Sequence, residues 1–243
     1  MANIVINGGS RGIGAAIVRL LAEDGHAIRF LYKERVDKAE ALEQALQAEG
    51  HDVRGIQCDI RSSETVRQTF ADILGEWEHV DVLVNCAGIS ITGLIQDVTE
   101  EQWQDIFATN VHGTFYCTKA VLPGMIHRKQ GVIINFSSIW GSHPASCEVA
   151  YSATKGAIEA FTRSMAEELS YSGVRVNAMA PGCVKTDMVK NLGEDTLAHL
   201  DEDIPMGRFA TPEEIAKWVR FLISDDASYM TGQTITVAGG FVI

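Results

Sequence analysis

Ile4-Val5-Ile6-Asn7-Gly8-Gly9-Ser10-Arg11-Gly12-Ile13-Gly14 is the stretch whose reading decides the fold. A short β-branched run ends in a glycine-rich turn, and apolar residues then recur at Ala15, Ile17, Val18 and Leu21. That order reads as strand, tight turn, amphipathic helix. Glycine at such a junction lets the chain reverse sharply. It also lets backbone N–H groups at the helix N-terminus approach a pyrophosphate. The alternative is a tight turn with no ligand.

The unit recurs outward along the chain. Apolar runs at Ala27–Leu31, Val53–Ile56, Val80–Val84, Val132–Phe136, Val174–Met179 and Thr234–Val237 alternate with segments of helical spacing, such as Ile158, Phe161, Met165 and Leu169. Strands alternating with helices predict a doubly wound α/β fold: a parallel sheet of about seven strands with helices on both faces. Near-continuous apolar strands suit a sheet buried on both sides. One domain over 1–243 is the simplest organisation. Asp187–Ala210 breaks the rhythm and reads as a lid over a substrate, followed by a helix start at Thr211-Pro212-Glu213-Glu214.

The chain has 243 residues, 32 acidic and 20 basic, for a formal net charge of −12. An acidic balance argues against nucleic-acid binding and against adhesion to anionic lipid. No run approaches the ~18 apolar residues of a membrane span, and the N-terminus carries no signal-peptide pattern. Five scattered cysteines with no Cys-x-x-Cys argue for a reduced, cytoplasmic setting and against a metal site.

Tyr151 and Lys155 are four apart in a helical stretch and share one face. Ser138 lies just beyond the strand Val132–Phe136, where ligands bind in such sheets, and Asn110 lies in the preceding helix. Together with the spacing Gly8-x3-Gly12-x-Gly14, these residues resemble the classical short-chain dehydrogenase/reductase family. Its Asn-Ser-Tyr-Lys tetrad matches Asn110, Ser138, Tyr151 and Lys155, and its fold is of the Rossmann type. Asn7 stands where that family usually has Thr. The resemblance extends to Asn85-Cys86-Ala87-Gly88, to Pro181-Gly182-x-Val184-x-Thr186, and to the tail Tyr229–Gln233 and Gly239-Gly240.

The resemblance implies a nicotinamide cofactor held by Gly8, Ser10, Arg11, Gly12, Ile13 and Gly14, by Asp59 and Ile60 at the adenine, and by Asn85, Ala87 and Gly88. Pro181, Gly182, Val184 and Thr186 would hold its nicotinamide end. Uncharged Tyr32 ends the second strand, and Lys33, Arg35 and Arg11 supply positive charge for a 2′-phosphate, which favours NADP(H). Glu34 is the counter-evidence and, pointing inward, would favour NAD(H). Tyr151 would donate the proton in reduction and accept it in oxidation. Lys155 would lower the phenol pKa and bind the nicotinamide ribose. Ser138 would polarise the carbonyl, and Asn110 would hold a water.

For substrate, the pattern resembles the 3-oxoacyl-[acyl-carrier-protein] reductase branch, which implies an acidic carrier docking on basic residues; Arg128-Lys129 is the tight basic pair available. Ser138-Ile139-Trp140-Gly141 and Ala145–Val149 resemble a subgroup that reduces a 5-aminopentanone on a lysine of elongation factor P. There Trp140 and Glu148 would receive the amine. Met188, Leu192, Leu197 and Met206 could wall an apolar pocket or simply pack the lid. An alcohol or sugar dehydrogenase, and a non-catalytic dinucleotide sensor, remain open alternatives. A homotetramer is implied by resemblance.

Overall fold

A computed structural model of the chain describes residues 1–187 and 203–241. The expected lid residues Met188, Leu192 and Leu197 lie outside that range. Seven parallel strands form one sheet in the order β3-β2-β1-β4-β5-β6-β7. They are β1 Asn3–Asn7, β2 Ala27–Tyr32, β3 Val53–Gln57, β4 Val82–Asn85, β5 Gly131–Phe136, β6 Val174–Pro181 and β7 Thr234–Val237. Each predicted apolar run is one of these strands.

The strands are apolar throughout because both faces are covered. On one face Ile4, Ile6, Ile28 and Phe30 pack under α1 (Gly12–Glu23), α2 (Val36–Ala48) and α8 (Pro212–Ile223). On the other, Val5, Leu31, Leu83, Ile133 and Val176 pack under α3 (Ser63–Trp77), α5 (Gly113–Arg128) and α7 (Val149–Leu169). Successive strand residues point to opposite faces, so each core takes alternate positions. α8 begins with the expected signature: Thr211 caps it in a reciprocal capping box with Glu214, and Pro212 opens the helix.

α4 (Glu100–Phe107) continues through a π-helical turn at Ala108–His112 into α5. Asn110 sits in that turn, and such turns recur at functional sites. Between β5 and α7 lies a short helix, α6 (Ile139–Ser142), capped by Ser138.

The chain winds from β1 outward to β3, then returns to lay β4 on the other side of β1. The loops leaving β1 and β4 therefore diverge and open a crevice at the C-terminal edge of the sheet, where ligands bind in this architecture.

Candidate active site

The crevice is a cavity of ≈ 380 Å³. Gly8, Ser10, Arg11, Gly12, Ile13 and Gly14 line one end; Tyr32, Lys33, Arg35, Asp59 and Ile60 line the rim. Ala87, Gly88, Ser138, Tyr151, Lys155, Pro181, Gly182, Val184 and Thr186 line the rest. The residues expected to hold a dinucleotide are thus brought to one cavity, apart from Asn85, which lies beneath it. A larger groove of ≈ 550 Å³ between α1, α2 and α8 shares Ser10, Arg11, Gly12, Thr186 and Asp187 but none of the tetrad.

The glycine turn fits a dinucleotide because the chain leaves no room for side chains there. Gly8 has φ +72°, and a Cβ on it would stand 2.7 Å from the backbone of Ala87. A Cβ on Gly14 would stand 2.1 Å from the Gly8 carbonyl oxygen. Thr186 lies over the turn, its methyl 3.3 Å from where a Gly12 Cβ would be. The α1 N-terminus is left bare for an anion.

Beneath the turn, Asn7, Asn85 and Asn135 are register partners on β1, β4 and β5. Asn7 Nδ2 donates to Asn85 Oδ1 at 2.6 Å, Asn85 Nδ2 to Asn135 Oδ1 at 2.9 Å, and Asn135 Nδ2 to Thr162 on α7 at 2.9 Å. Asn7 Oδ1 accepts the Ala87 N–H at 2.8 Å. Asn7, the departure from the usual Thr, is therefore the first rung of a buried ladder joining the glycine turn to the catalytic helix.

At the rim, Lys33 pairs with Glu34 at 2.9 Å and Arg35 with Asp37 at 2.8 Å. Glu34 is largely exposed. Arg11 makes no ion pair among the described residues. Asp59 is engaged by Arg61, whose guanidinium also reaches Asp105 at 2.5 Å; Arg61 holds the Asp59 carboxyl below its ordinary range. Asp59 is not the cap of α3, a role taken by Ser62. Neither Arg61 nor Asp105 was singled out from sequence, because they are 44 residues apart.

Tyr151 and Lys155 share the inner face of α7. Lys155 Nζ lies 5.4 Å from the centroid of the Tyr151 ring and donates to the Phe136 carbonyl at 2.7 Å. Both are buried. Burial pushes the phenol up to about 12, although the neighbouring Ser138 hydroxyl pulls the other way. Burial also lowers the Lys155 ammonium to about 8. The net direction for the phenol is therefore upward, opposite to the lowering expected from Lys155, and desolvation is the largest cause. A phenol so raised is neutral at neutral pH and keeps a proton that it could donate.

Asn110 is fixed by three bonds. Its Nδ2 donates to the Ile89 carbonyl and to Thr154 Oγ1, and its Oδ1 accepts the Ile89 N–H. Thr154 in turn donates to the Tyr151 carbonyl at 2.8 Å. Thr154, which sequence reasoning missed, thereby links the Asn110 side chain to the Tyr151 backbone. Gly88 lies beside the catalytic end, a Cβ there falling 3.3 Å from Asn110 Oδ1 and 3.4 Å from Lys155 Nζ.

Glu148, at the start of α7, accepts from Thr92 at 2.9 Å and from Ser90 at 3.4 Å. It is half-buried, which raises its carboxyl, and it lies close enough to raise Tyr151. Trp140 packs edge-on against Phe241, ring centroids 5.8 Å apart. Arg128 does not present itself for docking: it is tied inward to Asp81 at 2.9 Å and to the Val80 carbonyl at 3.2 Å. Of that basic pair only Lys129 is without an ion pair among the described residues.

A family described as Enoyl-(Acyl carrier protein) reductase matches residues 8–242. A 3-oxoacyl-[acyl-carrier-protein] reductase of Staphylococcus epidermidis is 39% identical over 236 residues, covering 97% of each chain. The chain belongs to the short-chain dehydrogenase/reductase family. Among solved structures, a doubly substituted Serratia marcescens short-chain dehydrogenase/reductase superposes with TM-score 0.92 at 31% identity, over 100% of this chain and 98% of that one. A 3-oxoacyl-[acyl-carrier protein] reductase of Brucella melitensis with bound NAD gives 0.91 at 31% identity, over 100% and 91%. As a short-chain dehydrogenase/reductase the protein is an oxidoreductase of C=O and CH–OH groups that binds a nicotinamide dinucleotide. Among the described residues no helix is long and apolar enough to cross a membrane.

Proposed function

We propose that the protein reduces a ketone to a secondary alcohol with NADP(H), its substrate a 3-oxoacyl thioester on acyl carrier protein. The observation that carries the reaction is the convergence of Ser138, Tyr151 and Lys155 on one wall of the dinucleotide cavity. Bound in the cradle, the reduced dinucleotide supplies a hydride. The Ser138 hydroxyl holds and polarises the carbonyl oxygen, and the Tyr151 phenol gives that oxygen its proton. Lys155 binds the ribose. Asn110, with both amide protons committed, has acceptor capacity left for the water that reconnects Lys155 to solvent. Residues 187–210 act as the lid; their described end is pinned to the tail by the Met206 N–H donating to the Gly239 carbonyl at 3.0 Å. The substrate class rests on the names of the relatives. Steady-state turnover of a 3-oxoacyl carrier-protein conjugate, against the same acyl group on a small thiol, tests it. A large preference for the conjugate supports the reading, and indifference to the carrier removes it.

Preference for NADP(H) rests on Arg11, the rim cation that no carboxylate neutralises among the described residues. Arg11→Glu is expected to weaken NADPH about 10–100-fold, the loss of one or two charge-assisted bonds, and to leave NADH nearly unchanged. Fluorescence titration with both cofactors reads this. Equal effects on both would assign the rim to NAD(H).

A second reading is favoured by Glu148 and by the inward ion pair of Arg128. A half-buried carboxylate near the catalytic phenol suits a ketone bearing an amine, as in the 5-aminopentanone of elongation factor P. Glu148→Gln is expected to cost a cationic ketone about tenfold or more in kcat/KM, the strength of a hydrogen bond to a charged group, and a neutral ketone little. Equal losses on both would remove this reading. Dinucleotide binding with no turnover of either ketone would leave a sensor.

The protein works as a homotetramer in the cytoplasm. Exposed Trp103 and Phe115 on α4 and α5, and Trp218 on α8, supply apolar surface for such contacts. Light scattering at the mass of a single chain would contradict it.

A further inference from the structure

Glu159 lies one turn beyond Lys155 on α7, does not line the cavity, and is 5% exposed. The reduction makes no direct use of it. A carboxylate so deeply buried needs partners that repay its desolvation. Its Oε1 accepts from the Ser137 hydroxyl at 3.0 Å. The charged partner, Arg163, stands 3.8 Å away and is itself mostly in solvent. The Ser137 hydroxyl also lies 3.2 Å from the Lys155 carbonyl and 3.4 Å from that of Ser138. It has one proton to give, and the carboxylate is the strongest of the three acceptors.

The contact is built to close tolerance. A Cβ on Gly141 would stand 2.5 Å from both Glu159 Oε1 and Ser137 Oγ. The Gly141 carbonyl oxygen in turn lies 3.4 Å from where a Gly156 Cβ would be. The turn from Ser137 to Gly141 is thus seated directly on α7, and Phe136 just before it is held by Lys155 Nζ. Ser138 belongs to that turn, whereas Tyr151 belongs to α7. The two hydroxyls that must share one carbonyl oxygen ride on different elements, and Ser137 with Glu159 joins those elements at the back.

We propose that Glu159 is a positioning residue: acting through Ser137, it seats the Ser138 turn on α7 and so sets the separation of the Ser138 and Tyr151 hydroxyls. The assignment deepens the ketone-reduction reading and rests on it for its kinetic consequences. Misplacement of a catalytic group by about 1 Å costs on the order of 10²-fold in rate.

The test compares Glu159→Leu, Glu159→Gln and Ser137→Ala, at saturating dinucleotide with a short β-keto ester. Glu159→Leu is expected to lower kcat about 10–100-fold, with dinucleotide affinity unchanged. Glu159→Gln, which still accepts from Ser137, keeps kcat within a few-fold. Combining Ser137→Ala with Glu159→Leu adds nothing further, because both cut the same link. A second readout is independent of turnover: ultraviolet titration of Tyr151, taken as the difference from Tyr151→Phe. It moves upward in Glu159→Leu and in Ser137→Ala as the Ser138 hydroxyl, which pulls the phenol downward, shifts away from it. Should Glu159→Leu fail to fold, Ser137→Ala carries both readouts. Unchanged titration in a folded variant overturns the proposal. So does a kcat loss that Glu159→Gln shares in full. If the unaltered protein turns over no ketone, the functional reading fails and the titration alone decides the positioning.

Discussion

Tyr151→Phe is expected to lower ketone turnover by about 10²–10⁴-fold, the contribution of a positioned general acid, while dinucleotide affinity stays near that of the unaltered protein. The ring remains packed in the same place beside Lys155, so the change removes one hydroxyl and little else. Lys155 keeps its bond to the Phe136 carbonyl and its access to a ribose. The pH dependence follows from the same burial. With the phenol pushed up to about 12, the neutral form dominates at neutral pH and serves reduction. Oxidation of the alcohol needs the phenolate, so its rate should climb as pH rises above neutrality, and Tyr151→Phe should lose that rise. Stopped-flow and steady-state assays in both directions check this. Turnover retained in the variant would refute Tyr151 as the proton donor.

Gly8→Val is expected to abolish dinucleotide binding. A side chain at φ +72° costs roughly 1–2 kcal/mol by itself. The larger effect is steric: the new Cβ would stand 2.7 Å from both Cα and N of Ala87, and backbone cannot swing aside as a side chain can. The turn and the β4 loop must part, and the N–H groups that would face a pyrophosphate lose their aim. Gly25→Ala is the control. It has φ +83° with nothing within 4 Å of its Cβ, so it should lose a little thermal stability and bind cofactor normally. Cofactor fluorescence and thermal melting separate the two. Normal binding by a folded Gly8→Val would show that the cradle lies elsewhere.

The elements most legible in sequence were those set by near neighbours. The β-branched runs became the seven strands because an apolar run bounded by turns has few other ways to bury itself. Thr211-Pro212-Glu213-Glu214 opened a helix because capping is a contact over three residues. The glycine turn and the four-residue step from Tyr151 to Lys155 were legible for the same reason. What spacing left open involved distant groups. Arg128, one of the basic pair available for docking, is held by Asp81, 47 positions away. Lys155 was expected to lower the phenol, whereas burial raises it.

The sequence by itself determined the order of strands and helices along the chain, the glycine turn and the four-residue step from Tyr151 to Lys155, because each depends on residues close along the chain. Only the tertiary structure decided which groups meet across it: the asparagine ladder from Asn7 to Thr162, the Arg61 bridge between Asp59 and Asp105, and the seat that Glu159 makes for Ser137. The physical reason is that hydrogen bonds and desolvation act over a few ångströms of space, and a one-dimensional spacing carries that information only within a turn of helix or a tight loop.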